Sequence, residues 1–503
     1  MTRAARRGRS LAGVTPSNAR KHASTPTKGG TEHPFSPPPP AATIGELRAS
    51  KWTSVPVKVE LRRNVLARLA AGEPVVSGVL GYDDTVLPAL EHALIAGHDV
   101  ILLGERGQAK SRIIRSLVGL LDEWMPVVAG SEINDDPYNP VSRLARDLVA
   151  EHGDETPIAW VNRRDRYGEK LATPDTSMAD LIGEVDPIKV AEGRYLSDEL
   201  TIHYGLVPRT NRGIFAINEL PDLAERIQVG LLDVLEERDV QIRGHRVRLP
   251  LDLLLVASAN PEDYTNRGRI ITPLKDRFGA RLRTHYPTDV ETEVTIVEQE
   301  ARSFEDAGIR VEMPEFMSEL VARISHLARQ SPRVSQRSGV SVRLSVTNHE
   351  TLTAAAVRRA VLHGEHEAVP RVSDLDALVS STLGKLEIES LEDGEDEEVV
   401  DRLIKAAVLQ TFRDSCPPET LGQVVGGFED GQVVHAGPDL ASAEYLATLE
   451  ALPSLRTPVA VLTGESESPG MVASAVELVL EGLHLSKRLN KDAAGPRATY
   501  RSR

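Results

Sequence analysis

Val100-Ile101-Leu102-Leu103-Gly104-Glu105-Arg106-Gly107-Gln108-Ala109-Lys110-Ser111 is the most telling stretch of this chain. Four apolar residues, bounded by Asp99 and Gly104, read as a buried strand. The loop after them nearly fits G-x-x-x-x-G-K-[ST], and a helical pattern opens at Arg112. Strand, glycine-rich loop and helix in that order form a phosphate cradle. Glycines let the backbone curl so that its N–H groups face phosphate oxygens, and the helix N-terminus adds positive potential. Gly104, Gly107, Gln108, Ala109, Lys110, Ser111 and Arg112 are therefore the candidate nucleotide contacts. Lys110 would reach the β- and γ-phosphates and Ser111 would ligate Mg²⁺, so ATP and Mg²⁺ are the expected cofactors. Ala109 stands where glycine is usual. Alanine tolerates positive φ poorly, but at helical dihedrals its cost would be slight.

Working outward, two more apolar runs end in polar residues. Gly213-Ile214-Phe215-Ala216-Ile217 leads into Asn218-Glu219, and Leu253-Leu254-Leu255-Val256-Ala257 leads into Ser258-Ala259-Asn260-Pro261. A glutamate at the end of a strand beside the phosphate loop can activate the attacking water, the role expected of Glu219. The residue before it is usually an aspartate that holds Mg²⁺ through water. Asn218 can accept such a hydrogen bond but lacks the charge, which predicts weaker Mg²⁺ binding or slower turnover. Asn260 suits a γ-phosphate sensor. Downstream, Arg277 is the first candidate for an arginine offered across a subunit boundary, with Arg267 and Arg269 next. Arg343, in Ser341-Val342-Arg343, is the candidate that couples a second domain to the nucleotide, with Arg333 and Arg337 close by.

The remainder of the chain bounds these readings. A length of 503 residues predicts two or three domains with tails. A net charge of −15 argues against a protein built on nucleic-acid backbone contacts, and 4% aromatics argue against base-stacking platforms. The single cysteine, Cys416, excludes an internal disulfide and a cysteine-rich zinc site, consistent with a reducing compartment and a cytoplasmic location. No apolar run approaches the roughly 20 residues a membrane span needs. Residues 1–42, basic and ending in Pro37 to Pro40, share their composition with transit peptides but read as a disordered tail. Helices are expected over 43–75, an α/β core with a parallel sheet over 76–288, and an all-helical lid over 289–386. An acidic linker and mixed C-terminal extension follow over 387–492, then a disordered tail over 493–503.

Several stretches go beyond a generic nucleotide site. They are Asp180 to Asp186, Gly205-Leu206, the helix Ile227 to Glu237 leading into the alternating stretch Val240 to Arg248, Asn260 to Asp263, and Leu274 to Gly279. Val240 to Arg248 reads as a hairpin about its Gly-containing turn. With the loop and the two strand ends, these residues resemble the chelatase-like branch of AAA+ ATPases, which includes the magnesium-chelatase I subunit and the MoxR proteins. The resemblance runs from about Leu80 to Leu378. The Gly-Ala-Phe-Thr-Gly-Ala loop of the sigma-factor activators is absent. The resemblance implies an ATP-hydrolysing remodelling machine, a hexameric ring of identical subunits, and a protein partner bearing a von Willebrand factor A domain. Nothing in it implies a membrane or a nucleic acid. A nucleotide-dependent scaffold with little hydrolysis and a magnesium-chelatase ATPase component are the alternative functions.

Overall fold

The computed structural model describes residues 36–186, 199–236, 239–242, 245–260, 268–304, 308–335, 338–389, 395–429, 431–464, 466, 468–495 and 497–503. Most of the N-terminal stretch expected to be disordered, as well as Arg267 and Arg337, lies outside them. Residues 36–42, assigned to that tail, are instead anchored. Trp124 Nε1 donates to Ser36 O at 2.8 Å, Trp160 Nε1 to Ala41 O at 2.8 Å, and Ile158 N to Ala42 O at 2.9 Å. Helices α1 (Ile44–Ala49) and α2 (Val57–Ala71) follow, then α3 (Val86–Ala96).

The core is a five-stranded parallel sheet. Its strands are β1 (Val100–Leu103), β2 (Tyr167–Leu171), β3 (Gly213–Asn218), β4 (Leu253–Ala259) and β5 (Ala280–Arg283), in spatial order β5-β1-β4-β3-β2. The apolar runs are continuous because both faces are covered. Ile101, Phe215, Ile217, Leu255 and Ala257 point into one core. Val100, Leu102, Ile214, Ala216, Leu254 and Val256 point into the other, against Ile113 and Ile114 of α4 (Lys110–Ser116). The register fixes which strand ends meet. Leu103 pairs with Ala259, which sets Gly104 level with Asn260. Ala257 pairs with Ile217, which brings Asn218 level with Ser258. β1 sits where the strand order reverses, the usual ligand crevice of an open α/β sheet. Helix α5 (Glu225–Glu236) and a hairpin of Asp239–Ile242 with His245–Arg248 precede β4, and α6 (Thr272–Arg277) precedes β5.

Beyond the sheet, α7 (Val290–Glu300), α8 (Glu315–Gln330) and α9 (Arg343–His363) build the lid. It is not wholly helical, because Arg310–Val311 pairs in parallel with Glu367–Ala368. Nor does packing break at residue 387. Phe316, Leu320 and Ile324 of α8 share one core with Val400, Ile404 and Phe412 of α10 (Glu395–Ser415), and with Leu478, Val479 and Leu483 of α11 (Pro469–Leu485). Gly482 permits this approach, since a Cβ there would lie 2.1 Å from the Phe412 ring. The acidic stretch begins α10 with four consecutive acids at the positive end of its dipole, where they are favoured. Residues 493–495 and 497–503 are ordered, against expectation. Asn490–Ala494 and Arg497–Arg501 form an antiparallel hairpin, held by Tyr500 OH and Lys491 Nζ donating to Glu481 at 2.5 and 2.7 Å. Among the described residues no helix is long and apolar enough to cross a membrane.

Candidate nucleotide site

The loop between β1 and α4 is shaped by close approaches. At Gly104 a Cβ would stand 1.9 Å from Thr284 Oγ1 and 2.2 Å from Gln108 Oε1. Gln108, buried, receives hydrogen bonds from Glu105 N at 3.0 Å and from Thr284 at 2.7 Å, which closes the loop over β5. Gly107 has a φ of 75°, and a Cβ there would meet Ser341 Oγ of the lid at 1.8 Å. Ala109 does not take helical dihedrals. It caps α4 at φ 53° and ψ 13°, a left-handed conformation that strains a non-glycine residue, because the chain must turn sharply from strand into helix. Ser111 lies exposed in the first helical turn.

Lys110 folds back over the loop. Its Nζ donates to Gly104 O, to Glu105 O at 2.8 Å and to Asn260 Oδ1 at 2.6 Å. Asn260 Nδ2 in turn donates to Glu219 Oε2 at 2.9 Å. The loop lysine, the β4 polar residue and the β3 glutamate thus form one connected chain. Glu219 is itself left-handed, at φ 55°, and its N–H donates to Ser258 Oγ at 3.2 Å. A second non-glycine residue in that region, beside the first, is the kind of strain that clusters at working sites. The fit to a nucleotide with Mg²⁺ rests on this chemistry. A buried ammonium that carbonyl-type oxygens hold, glycines that a Cβ would block, and a carboxylate aimed at the same crevice suit a polyphosphate.

Asn218, nearly buried, uses both ends of its amide. Nδ2 donates to Glu169 Oε1 at 2.5 Å and Oδ1 accepts from Ser258 Oγ at 3.2 Å. Glu169 lies on β2 and is gripped by Arg115 of α4, Nε to Oε2 and Nη2 to Oε1, both at 2.9 Å. The Arg115 guanidinium holds the Glu169 carboxyl below the usual carboxylate range, against the opposing effect of its partial burial.

A side cleft of about 60 Å³ next to the loop is lined by Val79, Tyr82, Ala109, His285 and Val342. Tyr82 OH lies 2.9 Å from Gln108 O and 2.7 Å from His285 O, its single proton shared between the two carbonyls, and burial pushes its hydroxyl up to about 12. The hydroxyl therefore stays a donor at any working pH and ties the loop to the segment after β5.

Comparison with known proteins agrees with this geometry. The chain is 30% identical over 243 residues to magnesium-chelatase subunit ChlI-2 of Arabidopsis thaliana, covering 45% of this chain and 52% of that one. It is 32% identical over 207 residues to magnesium-chelatase subunit ChlI of Anabaena variabilis, covering 40% and 56%. Over these stretches the chain is similar to AAA+ ATPase subunits of the chelatase-like branch. The chain spans about half the length of the curated relatives it matches. No protein-family model matches it. Among solved structures, the BchI–BchD complex of magnesium chelatase aligns with 65% of this chain and 98% of that chain, at 22% identity and a TM-score of 0.33. A putative ATPase from Cytophaga hutchinsonii aligns with 72% and 98%, at 14% and 0.29. At such scores neither superposition adds to what the sheet order already gives.

The remaining candidates of the AAA+ core fall elsewhere. Arg277 ends α6 at the opposite end of β1 from Lys110, with its Nε 3.8 Å from Asp99 Oδ2. It is separated from its own loop by the length of the strand, roughly 13 Å, and the two do not meet. Arg269 is exposed, and its carbonyl accepts from Gln228. Arg112 sends its side chain to Glu300 of α7 instead of to the loop. Arg343 is exposed at the start of α9, and Arg333 is exposed near the bridge of Val334 with Ile388. The lid residue packed closest to the loop glycine is Ser341. Sequence reasoning missed Glu169, Arg115, Tyr82, Thr284 and Ser341. The strand that carries Glu169 offers only the short run Tyr167-Gly168-Glu169-Lys170-Leu171.

Proposed function

We propose that this chain binds ATP with Mg²⁺ and hydrolyses it to ADP and phosphate, working as the motor of a remodelling ring. The observation that carries this reading is the hydrogen-bonded chain Lys110–Asn260–Glu219 at the mouth of the glycine-rich loop. In the working state Lys110 exchanges its carbonyl partners for phosphate oxygens. Asn260 orients Glu219, and Glu219 accepts the proton of the water that attacks the γ-phosphorus. The bond to the β–γ bridging oxygen breaks, and that oxygen leaves on ADP. Ser111, with Asn218 behind it, would hold Mg²⁺, which when bound offsets the charge of the phosphates. Arg277 serves the site of the adjacent subunit in a homo-oligomeric, hexameric ring, and a protein with a von Willebrand factor A domain is the partner. A second reading, a nucleotide-dependent scaffold with little hydrolysis, is favoured by Asn218 in place of an acid. A third, a magnesium-chelatase ATPase component, is favoured by the relatives' names.

Steady-state phosphate release from ATP, compared between the parent and Glu219→Gln with nucleotide binding checked in both, separates them. A fall of about 10²-fold or more with binding retained supports hydrolysis centred on Glu219. No turnover in either, with ATP bound, favours the scaffold. No binding in either defeats the nucleotide reading.

A further inference from the structure

In the reading above, the position that would carry a Mg²⁺-directed acid holds the neutral Asn218. We infer that Glu169 supplies the missing charge from behind, acting through the Asn218 amide as a positioning residue. The inference rests on the nucleotide reading and concerns how that same site meets its cation.

Three observations converge. Glu169 pairs in register with Ala216, two residues before Asn218 on the neighbouring strand, so the two side chains lie on the same face of the sheet. The reach of a glutamate spans that offset, and Oε1 comes within 2.5 Å of Asn218 Nδ2, a charge-assisted contact. Arg115 follows Ser111 by four residues on α4, one turn along the same helix face, and grips Glu169 with two parallel hydrogen bonds. Tyr167 OH adds a third at 3.0 Å. The carboxylate is thereby held on the amide-nitrogen side of Asn218, leaving Oδ1 directed away from it toward Ser258.

The chemistry follows from the amide's polarity. An N–H donated to a carboxylate shifts electron density onto the amide oxygen, as an acid behind a metal-bound imidazole raises its basicity. Asn218 Oδ1 thus becomes a stronger acceptor toward a cation-bound water than an isolated asparagine. A purely structural role explains less. Arg115 is 65% exposed, and ion pairs that open to solvent contribute little to stability. The arrangement also argues against simple reversion. Asn218→Asp would set two anionic oxygens at the present 2.5 Å separation. One of them must then be protonated or swing away.

The test uses the full chain and the non-hydrolysable β,γ-imido analogue of ATP, titrated calorimetrically in EDTA and at graded MgCl₂. Glu169→Gln should raise the MgCl₂ needed for half-maximal tightening by about 10-fold or more, and leave affinity in EDTA unchanged. Adding Asn218→Asp to Glu169→Gln should restore the parent's requirement. Arg115→Gln, which spares the carboxylate, should shift it by under about 3-fold. Equal loss of affinity with and without Mg²⁺ would make Glu169 merely structural and overturn the inference, as would an unchanged Mg²⁺ requirement. If the parent binds no analogue at all, the nucleotide reading itself has failed, and the inference falls with it.

Discussion

Gly107→Ala probes the junction between loop and lid. Two terms oppose the methyl group. The first is backbone strain, because φ is 75° and a left-handed alanine costs roughly 1–2 kcal/mol. The second is a collision, because the new Cβ would lie 1.8 Å from Ser341 Oγ, 2.6 Å from its Cβ and 3.0 Å from its Cα. Relieving such overpacking adds about 1–3 kcal/mol. Ala109 shows which term matters more. It already sits at φ 53° in the same loop, so strain by itself is tolerated there. The sum, about 2–5 kcal/mol, corresponds to at least a 30-fold loss of affinity for the imido analogue at about 1.4 kcal/mol per tenfold. Ser341→Gly removes both side-chain atoms, so the double variant should regain the collision term and keep only the strain, a loss of roughly 5- to 30-fold. Calorimetric titration of parent, both single variants and the double variant reads this directly. If Gly107→Ala binds as the parent does, or if Ser341→Gly restores nothing, the lid does not press on the loop and the reasoning fails.

Ala109→Gly should change little. Relief of left-handed strain is offset by the entropy glycine loses on folding and by the lost methyl packing, leaving at most about 0.5 kcal/mol in its favour by thermal melting. Arg329→Leu should weaken the lid by about 3–5 kcal/mol, since it strands the buried Glu293 carboxylate that Arg329 holds at 2.6 and 2.9 Å. The pH response should also shift. In the parent, burial raises the Glu293 carboxyl, but hydrogen bonds from His326 and Arg329 outweigh it and hold the group below its ordinary value. Its stabilisation is then complete above the ordinary carboxylate pKa and is lost as pH falls through the lowered one. Without Arg329 only His326 and Ser345 oppose burial, so the carboxyl should rise and the variant should gain stability relative to the parent on acidification, which melting from pH 8 to pH 5 checks. Arg277→Ala should cut phosphate release by about 10³-fold if it acts across subunits, with analogue binding kept. Unchanged turnover in an assembled ring would remove Arg277 from that role.

The parts of the site that the sequence exposes are those where apolar runs stop at polar residues. The ends of β1, β3 and β4 name Gly104, Asn218, Glu219 and Asn260, and parallel pairing brings them level. Glu169 escaped because a contact across 49 residues depends on which strand is the neighbour, and sequence order does not reveal that. The left-handed Ala109 was equally hidden, since alanine ahead of a helical run suggests helix while the turn from strand to helix dictates otherwise. At the C-terminus, Asn490-Lys491-Asp492-Ala493-Ala494 has poor strand propensity, and tertiary contacts to Glu481 make it a strand.

The apolar core that joins α8, α10 and α11 has a mechanical consequence. Because the lid and the extension interdigitate, any turn of the lid about the segment after β5 would carry the extension with it. A displacement of Ser341 beside the loop glycine would then appear as travel of one arm, larger the farther an element lies from that segment.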